Sequence, residues 1–115
     1  MKFIKTKLAG VDIVELEKKE DERGFLARTL DKRELKKIGI NLNLVEGYIS
    51  SSKKKGTIRG LHYRLKPNDG FQLTRVSKGS VFEVVVDLRK HSPTYKKWQG
   101  FYFKSSDYKM FLVPL

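Results

Sequence analysis

His62 is the residue whose type best suits proton chemistry. It stands in the run Thr57-Ile58-Arg59-Gly60-Leu61-His62-Tyr63-Arg64. An imidazole takes and releases protons near neutral pH, and it suits abstraction from a carbon beside a carbonyl. The plainer alternative is a strand histidine with a structural role. Arg59, three residues earlier, carries a guanidinium fork that matches a phosphate or a carboxylate. On a flat strand, positions three apart face opposite sides. A common pocket for Arg59 and His62 therefore requires a bulge or twist, and Gly60 between them is where one would form.

Other chemistries find less support. Gly56 precedes His62 at a spacing found in metal-binding β-barrels, but such sites want a second histidine two residues on, where this chain has the cation Arg64. His91 lies in the turn His91-Ser92-Pro93 and reads as a solvated loop residue. No metal site is expected. Neither Gly-x-Gly-x-x-Gly nor Gly-x4-Gly-Lys occurs, and no serine has a nucleophile-elbow context. Ser50-Ser51-Ser52-Lys53-Lys54-Lys55 has the residues to pin phosphates, but such a run is more often a flexible solvated loop. Trp98, Phe101, Tyr102 and Phe103 could stack on bases but read chiefly as barrel core.

The elements that would carry these residues are almost all β. Runs bounded by turn residues predict strands at Val11–Glu17, Phe25–Arg28, Val45–Ser51, Thr57–Leu65, Gln72–Lys78, Val81–Arg89, Trp98–Lys104 and Lys109–Val113. The first slips in alternation between Ile13 and Val14, which predicts a bulge there. Breakers fall at Lys53–Gly56, Lys66–Gly70, Lys78–Ser80 and His91–Pro93. Val81–Arg89 puts Phe82, Val84, Val86 and Leu88 on one face. A single short helix is predicted over Asp31–Ile38, with Asp31 as cap, Glu34 completing a capping box and Gly39 as stop. Short strands at regular spacing predict a sandwich or jelly roll. The last run, Met110 to Leu115, is apolar to its end, so further strands are expected to be missing or supplied by a partner chain.

Bulk properties bound the function. The 115 residues suit one domain with a modest core. There is no cysteine, which excludes disulfides and thiolate chemistry and fits a reducing cytoplasm. No apolar run is long enough for a signal peptide or a membrane span. The net charge of +12 invites a polyanion. The lysines are scattered along the chain, however, which favours a solvated basic surface over a nucleic-acid groove.

Four blocks occur in order: Asp21-Glu22-Arg23-Gly24-Phe25, Ile58-Arg59-Gly60-Leu61-His62-Tyr63, Gly79 to Arg89, and Ser92-Pro93-Thr94-Tyr95-Lys96-Lys97-Trp98. In these the sequence resembles the dTDP-4-dehydrorhamnose 3,5-epimerase family, from about Lys5 to Pro114. The resemblance implies a mainly β fold, a cupin-type jelly-roll barrel with one short helix, occupying residues 1–115 as a single domain that lacks the family's C-terminal strands. It implies an isomerase without metal or cofactor, acting on a dTDP-4-keto-6-deoxy sugar at C3 and C5. His62 would be the base and Arg59 a substrate ligand. Arg23 would bind the diphosphate end, in the neighbouring site of a cytoplasmic homodimer formed by N-terminal strand exchange. Gln72 stands where the family has a substrate-binding lysine, Glu46-Gly47-Tyr48 where it has Gln-Asp-Asn, and Arg28 where it has a glutamate. The family's acid tyrosine and orienting aspartate fall beyond Leu115. A non-catalytic or divergent nucleotide-sugar binding domain, or a ketoisomerase, of the same fold is the alternative.

Overall fold

The computed structural model describes residues 1–65 and 70–114. The chain forms two compact units: Leu30–His62, and Met1–Thr29 together with Tyr63–Leu115. Eight strands occur among the described residues, all in the second of these. They are β1 (Lys2–Lys5), β2 (Asp12–Glu15), β3 (Lys18–Asp21), β4 (Gly24–Ala27), β5 (Phe71–Arg75), β6 (Ser80–Val86), β7 (Trp98–Lys104) and β8 (Lys109–Pro114). Antiparallel pairing makes a four-stranded sheet in the order β1-β2-β8-β5 and two hairpins, β3-β4 and β6-β7. The turn expected at Lys66–Gly70 falls largely on residues outside those described.

The four-stranded sheet explains why β2 carries apolar neighbours in sequence. Ile13 pairs with Ile4 and Phe111, and Val14 with Phe3 and Met110, in an unbroken register. The predicted bulge is therefore absent. Val14 is buried on one face, while Ile13 packs on the other against a cluster of Leu8, Val11, Phe101, Phe103 and Phe111. A sheet covered on both faces needs no alternation of polar and apolar residues.

Phe111 lies at the centre of that cluster. Its ring centroid is 4.6 Å from that of Phe101 and 5.3 Å from that of Phe103. Burying three phenylalanines contributes roughly 1.5–3 kcal/mol each, with a further increment from the tilted ring contacts. Alternation along β7 decides which aromatics join the cluster. Phe101 and Phe103 are buried, whereas Trp98 and Tyr102 point outward and are exposed. On β6, Val85 packs against the cluster, so the stripe that includes Phe82 faces away from it, and Phe82 is 64% exposed. Phe82 lies across Gly100 on the paired strand, where a Cβ would come 2.4 Å from its ring.

In the unit Leu30–His62, α1 (Lys32–Lys37) forms where the sequence places a helix. Asp31 caps it by accepting hydrogen bonds from the amides of Arg33 (2.8 Å) and Glu34 (3.4 Å). Glu34 does not complete a capping box; Lys37 Nζ donates to it at 2.7 Å. Gly39, at φ +84°, turns the chain out of the helix, and Leu35 and Ile40 are buried.

The strands predicted at Val45–Ser51 and Thr57–Leu65 do not form. Residues 41–52 and 57–65 adopt no regular structure. Their β-branched and aromatic side chains stay in solvent, with Ile49 99% and Ile58 91% exposed. β propensity is chiefly the gain from packing on a half-buried pleated surface, and a strand also needs a neighbouring backbone to satisfy its amides. Neither is supplied to these segments by the described residues. Among those residues, no helix is long and apolar enough to cross a membrane.

Candidate active site

The segment holding His62 begins at a turn through Lys53–Gly56, closed by a 2.7 Å hydrogen bond from Thr57 Oγ1 to the Lys54 carbonyl. Gly56, at φ +78°, lets the chain reverse. Arg59 then directs its guanidinium back across that turn. Its Nη2 donates to the Ser51 carbonyl at 2.9 Å and its Nε to Ser52 Oγ at 3.2 Å. The serine run thus holds the arginine in place.

Gly60 follows at φ +97°, which interrupts strand alternation at the position expected. The change is a turn in an irregular segment, not a bulge in a ladder. The exposed imidazole of His62 leans over Gly60, its Nδ1 standing 3.3 Å from where a Cβ on residue 60 would lie. Arg59 and His62 flank this glycine, and no hydrogen bond joins them. Among the described residues of Leu30–His62, no carboxylate pairs with the imidazole. Tyr48 donates from its hydroxyl to Glu46 at 2.6 Å in the same unit.

Arg23 and Gln72 belong to the other unit. Arg23 sits at the tip of the β3-β4 hairpin, clamped on Asp21: its amide donates at 2.9 Å, Nε at 3.3 Å and Nη2 at 2.7 Å. This pairing holds the Asp21 carboxyl below the usual carboxylate range and raises the arginine. Both remain exposed and border an open depression lined by Lys19, Asp21, Arg23, Gly24, Phe25 and Leu26. Gln72 lies exposed on β5, where its Nε2 donates to Thr74 Oγ1 at 3.2 Å.

Two features of the unit that carries Arg23 and Gln72 escape sequence reasoning. Tyr108, in the left-handed region at φ +52°, packs against Phe25 in a T-shaped pair with centroids 4.9 Å apart and so anchors the hairpin bearing Arg23. Lys18 Nζ lies 4.5 Å from the Tyr108 ring centroid, and the Arg75 guanidinium 5.8 Å from it. Nothing in the residues around Tyr108 signals that contact.

The second is Asp87, buried at the end of β6. It accepts from the Arg89 amide (3.0 Å), Arg89 Nε and Nη2 (2.9 Å each), Ser92 Oγ (2.5 Å) and Thr94 Oγ1 (2.7 Å). The Arg89 guanidinium, then the serine and threonine hydroxyls, hold this carboxyl far below the usual range. Arg89 Nη2 also donates to the Ala9 carbonyl, and the Ala9 amide donates to Thr94 Oγ1 at 3.0 Å. One carboxylate thereby ties the β1-β2 turn to the loop before β7. The Asp-Leu-Arg and Ser-Pro-Thr blocks were the available signal.

Against known proteins, the family model described as dTDP-4-dehydrorhamnose 3,5-epimerase matches residues 5–115. The chain is 37% identical over 113 residues to the dTDP-4-dehydrorhamnose 3,5-epimerase of Methanothermobacter thermautotrophicus, an alignment covering 98% of this chain and 60% of the relative. Its fold is similar to the crystal structure of the Bacillus anthracis dTDP-4-dehydrorhamnose 3,5-epimerase with TDP and PPi bound. There the TM-score is 0.89 at 35% identity, with 98% of this chain and 65% of the other covered. A Legionella pneumophila dTDP-6-deoxy-D-glucose-3,5-epimerase in complex with dTDP-4-keto-L-rhamnose matches with a TM-score of 0.86 at 33% identity, over 98% of this chain and 60% of that one. The chain thus spans about three fifths of the length of these relatives. The expected fold class holds: mainly β, of the cupin type, with one short α-helix among the described residues.

Proposed function

Since this chain belongs to the dTDP-4-dehydrorhamnose 3,5-epimerase family, we propose that it is an isomerase epimerising a dTDP-4-keto-6-deoxyhexose at C3 and C5. The family match over residues 5–115 carries this reading. A ketone at C4 acidifies the hydrogens on both neighbouring carbons. His62 takes one of them as a proton, the electron pair moves onto the ketone oxygen, and a proton returned to the opposite face restores the ketone with that carbon inverted.

Arg59, preorganised by Ser51 and Ser52, is the substrate ligand beside the base. Arg23 holds the diphosphate in the neighbouring site of a strand-exchanged homodimer, and Gln72 contacts substrate. The reaction needs no metal or cofactor. The chain acts in the cytoplasm, a setting that its lack of cysteine supports, with residues 1–115 as one functional domain.

The test is deuterium exchange into C3 and C5 of dTDP-4-keto-6-deoxyglucose in D2O, followed by NMR. Exchange that His62→Ala abolishes supports the proposal; exchange that survives His62→Ala refutes it. Gln72, a neutral side chain where the resemblance places a lysine, favours a second reading in which the chain binds nucleotide sugar without turnover. Calorimetric binding of dTDP with no exchange at any enzyme concentration selects that reading.

A further inference from the structure

We infer that Gly60 is a positioning residue for His62: its bare Cα is the seat on which the imidazole rests. This deepens the reading of His62 as base and rests on it. A Cβ at residue 60 would stand 3.1 Å from the His62 amide nitrogen, 3.3 Å from Nδ1 and 3.6 Å from Cε1. The first two distances are closer than a carbon ordinarily approaches, and the backbone nitrogen has little room to yield. The side-chain contact is relieved only if the imidazole shifts by a few tenths of an ångström.

Gly56 provides an internal comparison. It too has a positive φ, +78° against +97°, yet a Cβ there would meet nothing within 4 Å. Both glycines meet a conformational demand that L side chains resist. Only Gly60 adds a demand for space, and that space is taken by the candidate base. Displacing a base from the proton it must abstract lowers the rate, and a misplacement of about 1 Å does so by on the order of a hundredfold.

The experiment compares Gly60→Ala and Gly56→Ala in the 115-residue chain by NMR, with isotope labels on the His62 ring. In the wild type, a nuclear Overhauser contact is expected between His62 Hε1 and the Gly60 α-protons. Gly60→Ala should alter the contact to position 60, shift the ring resonances and lower the exchange kcat, by less than about a hundredfold, with KM little changed. Gly56→Ala should destabilise the segment while leaving the ring contact at position 60 in place. Should Gly60→Ala not fold, Gly60→Asn carries the same Cβ on a residue that tolerates positive φ. If the two alanine variants affect the His62 ring alike, or if the ring keeps its place over the methyl group introduced by Gly60→Ala, the inference is overturned. His62→Ala run alongside separates the two ideas. Exchange that survives it sinks the base assignment, whereas the ring-position measurement judges Gly60 in either case.

Discussion

Asp87→Ala is expected to cost the protein about 3 kcal/mol, and the reasoning can be checked against a built-in control. The Asp87 side chain is 2% exposed and accepts from five donors, while that of Arg89 is 41% exposed. Removing one member of a buried, hydrogen-bonded ion pair costs roughly 3–5 kcal/mol. Because the guanidinium left behind can reach water, the lower end applies. For a chain of this size about 3 kcal/mol lowers Tm by roughly 12 °C, or shifts a urea midpoint by ~2 M. The control is Asp21, which receives the same three hydrogen bonds from the arginine two residues on, but with side chains 51% and 84% exposed. Asp21→Ala should leave both midpoints almost unmoved. Urea and thermal unfolding followed by circular dichroism give the answer. A loss in Asp87→Ala no greater than that in Asp21→Ala would refute the claim that burial, not the Asp-x-Arg pairing, makes the difference.

Further outcomes follow from the same geometry. Because the folded state depresses the Asp87 carboxyl, its stabilisation is fully present above the unfolded value near pH 4 and fades as pH falls from there towards the depressed folded value. Acid unfolding of the wild type should steepen below about pH 4, and Asp87→Asn should flatten that limb. Phe111→Ala, at the centre of the aromatic cluster, should cost about 3–5 kcal/mol by urea unfolding. Phe82→Ala, on the outward face of β6, should cost far less. Arg23→Ala should weaken dTDP binding by roughly tenfold in calorimetry without moving Tm, since its ion pair with Asp21 lies in solvent.

How much of this could be read from the residues differs element by element. The helix was legible because Asp31 and Gly39 are local signals acting on adjacent backbone. β6, β7 and β8 were legible because they are runs of β-branched, aromatic and other apolar residues bounded by turn residues. β1 and β3, as Lys2–Lys5 and Lys18–Asp21, were missed because neither carries a period-two signal: β1 sets two adjacent apolar residues between lysines, and β3 is wholly charged. Val45–Ser51 and Thr57–Leu65 were over-read for the converse reason, since propensity describes a residue's fit to a pleated surface and not whether a neighbouring strand exists. At the candidate site, a special backbone conformation at Gly60 was legible, although the strand parity behind that expectation fails because Thr57–Leu65 forms no strand. The use of Ser51 and Ser52 to hold Arg59 was not, because it depends on the turn at Lys53–Gly56 bringing them together.

By itself, the sequence determined the family, the β-rich class, and His62 with Arg59 as the residues of chemical interest, since all of these rest on residue identity and order along the chain. Tertiary structure decided what identical local patterns mean. Asp21-Glu22-Arg23 and Asp87-Leu88-Arg89 form the same clamp. Only folding exposes one at a hairpin tip, where its arginine can meet a ligand, and buries the other, where it holds two loops together. Burial is set by what packs around a side chain from distant parts of the chain, and the energy of a charge pair follows from burial.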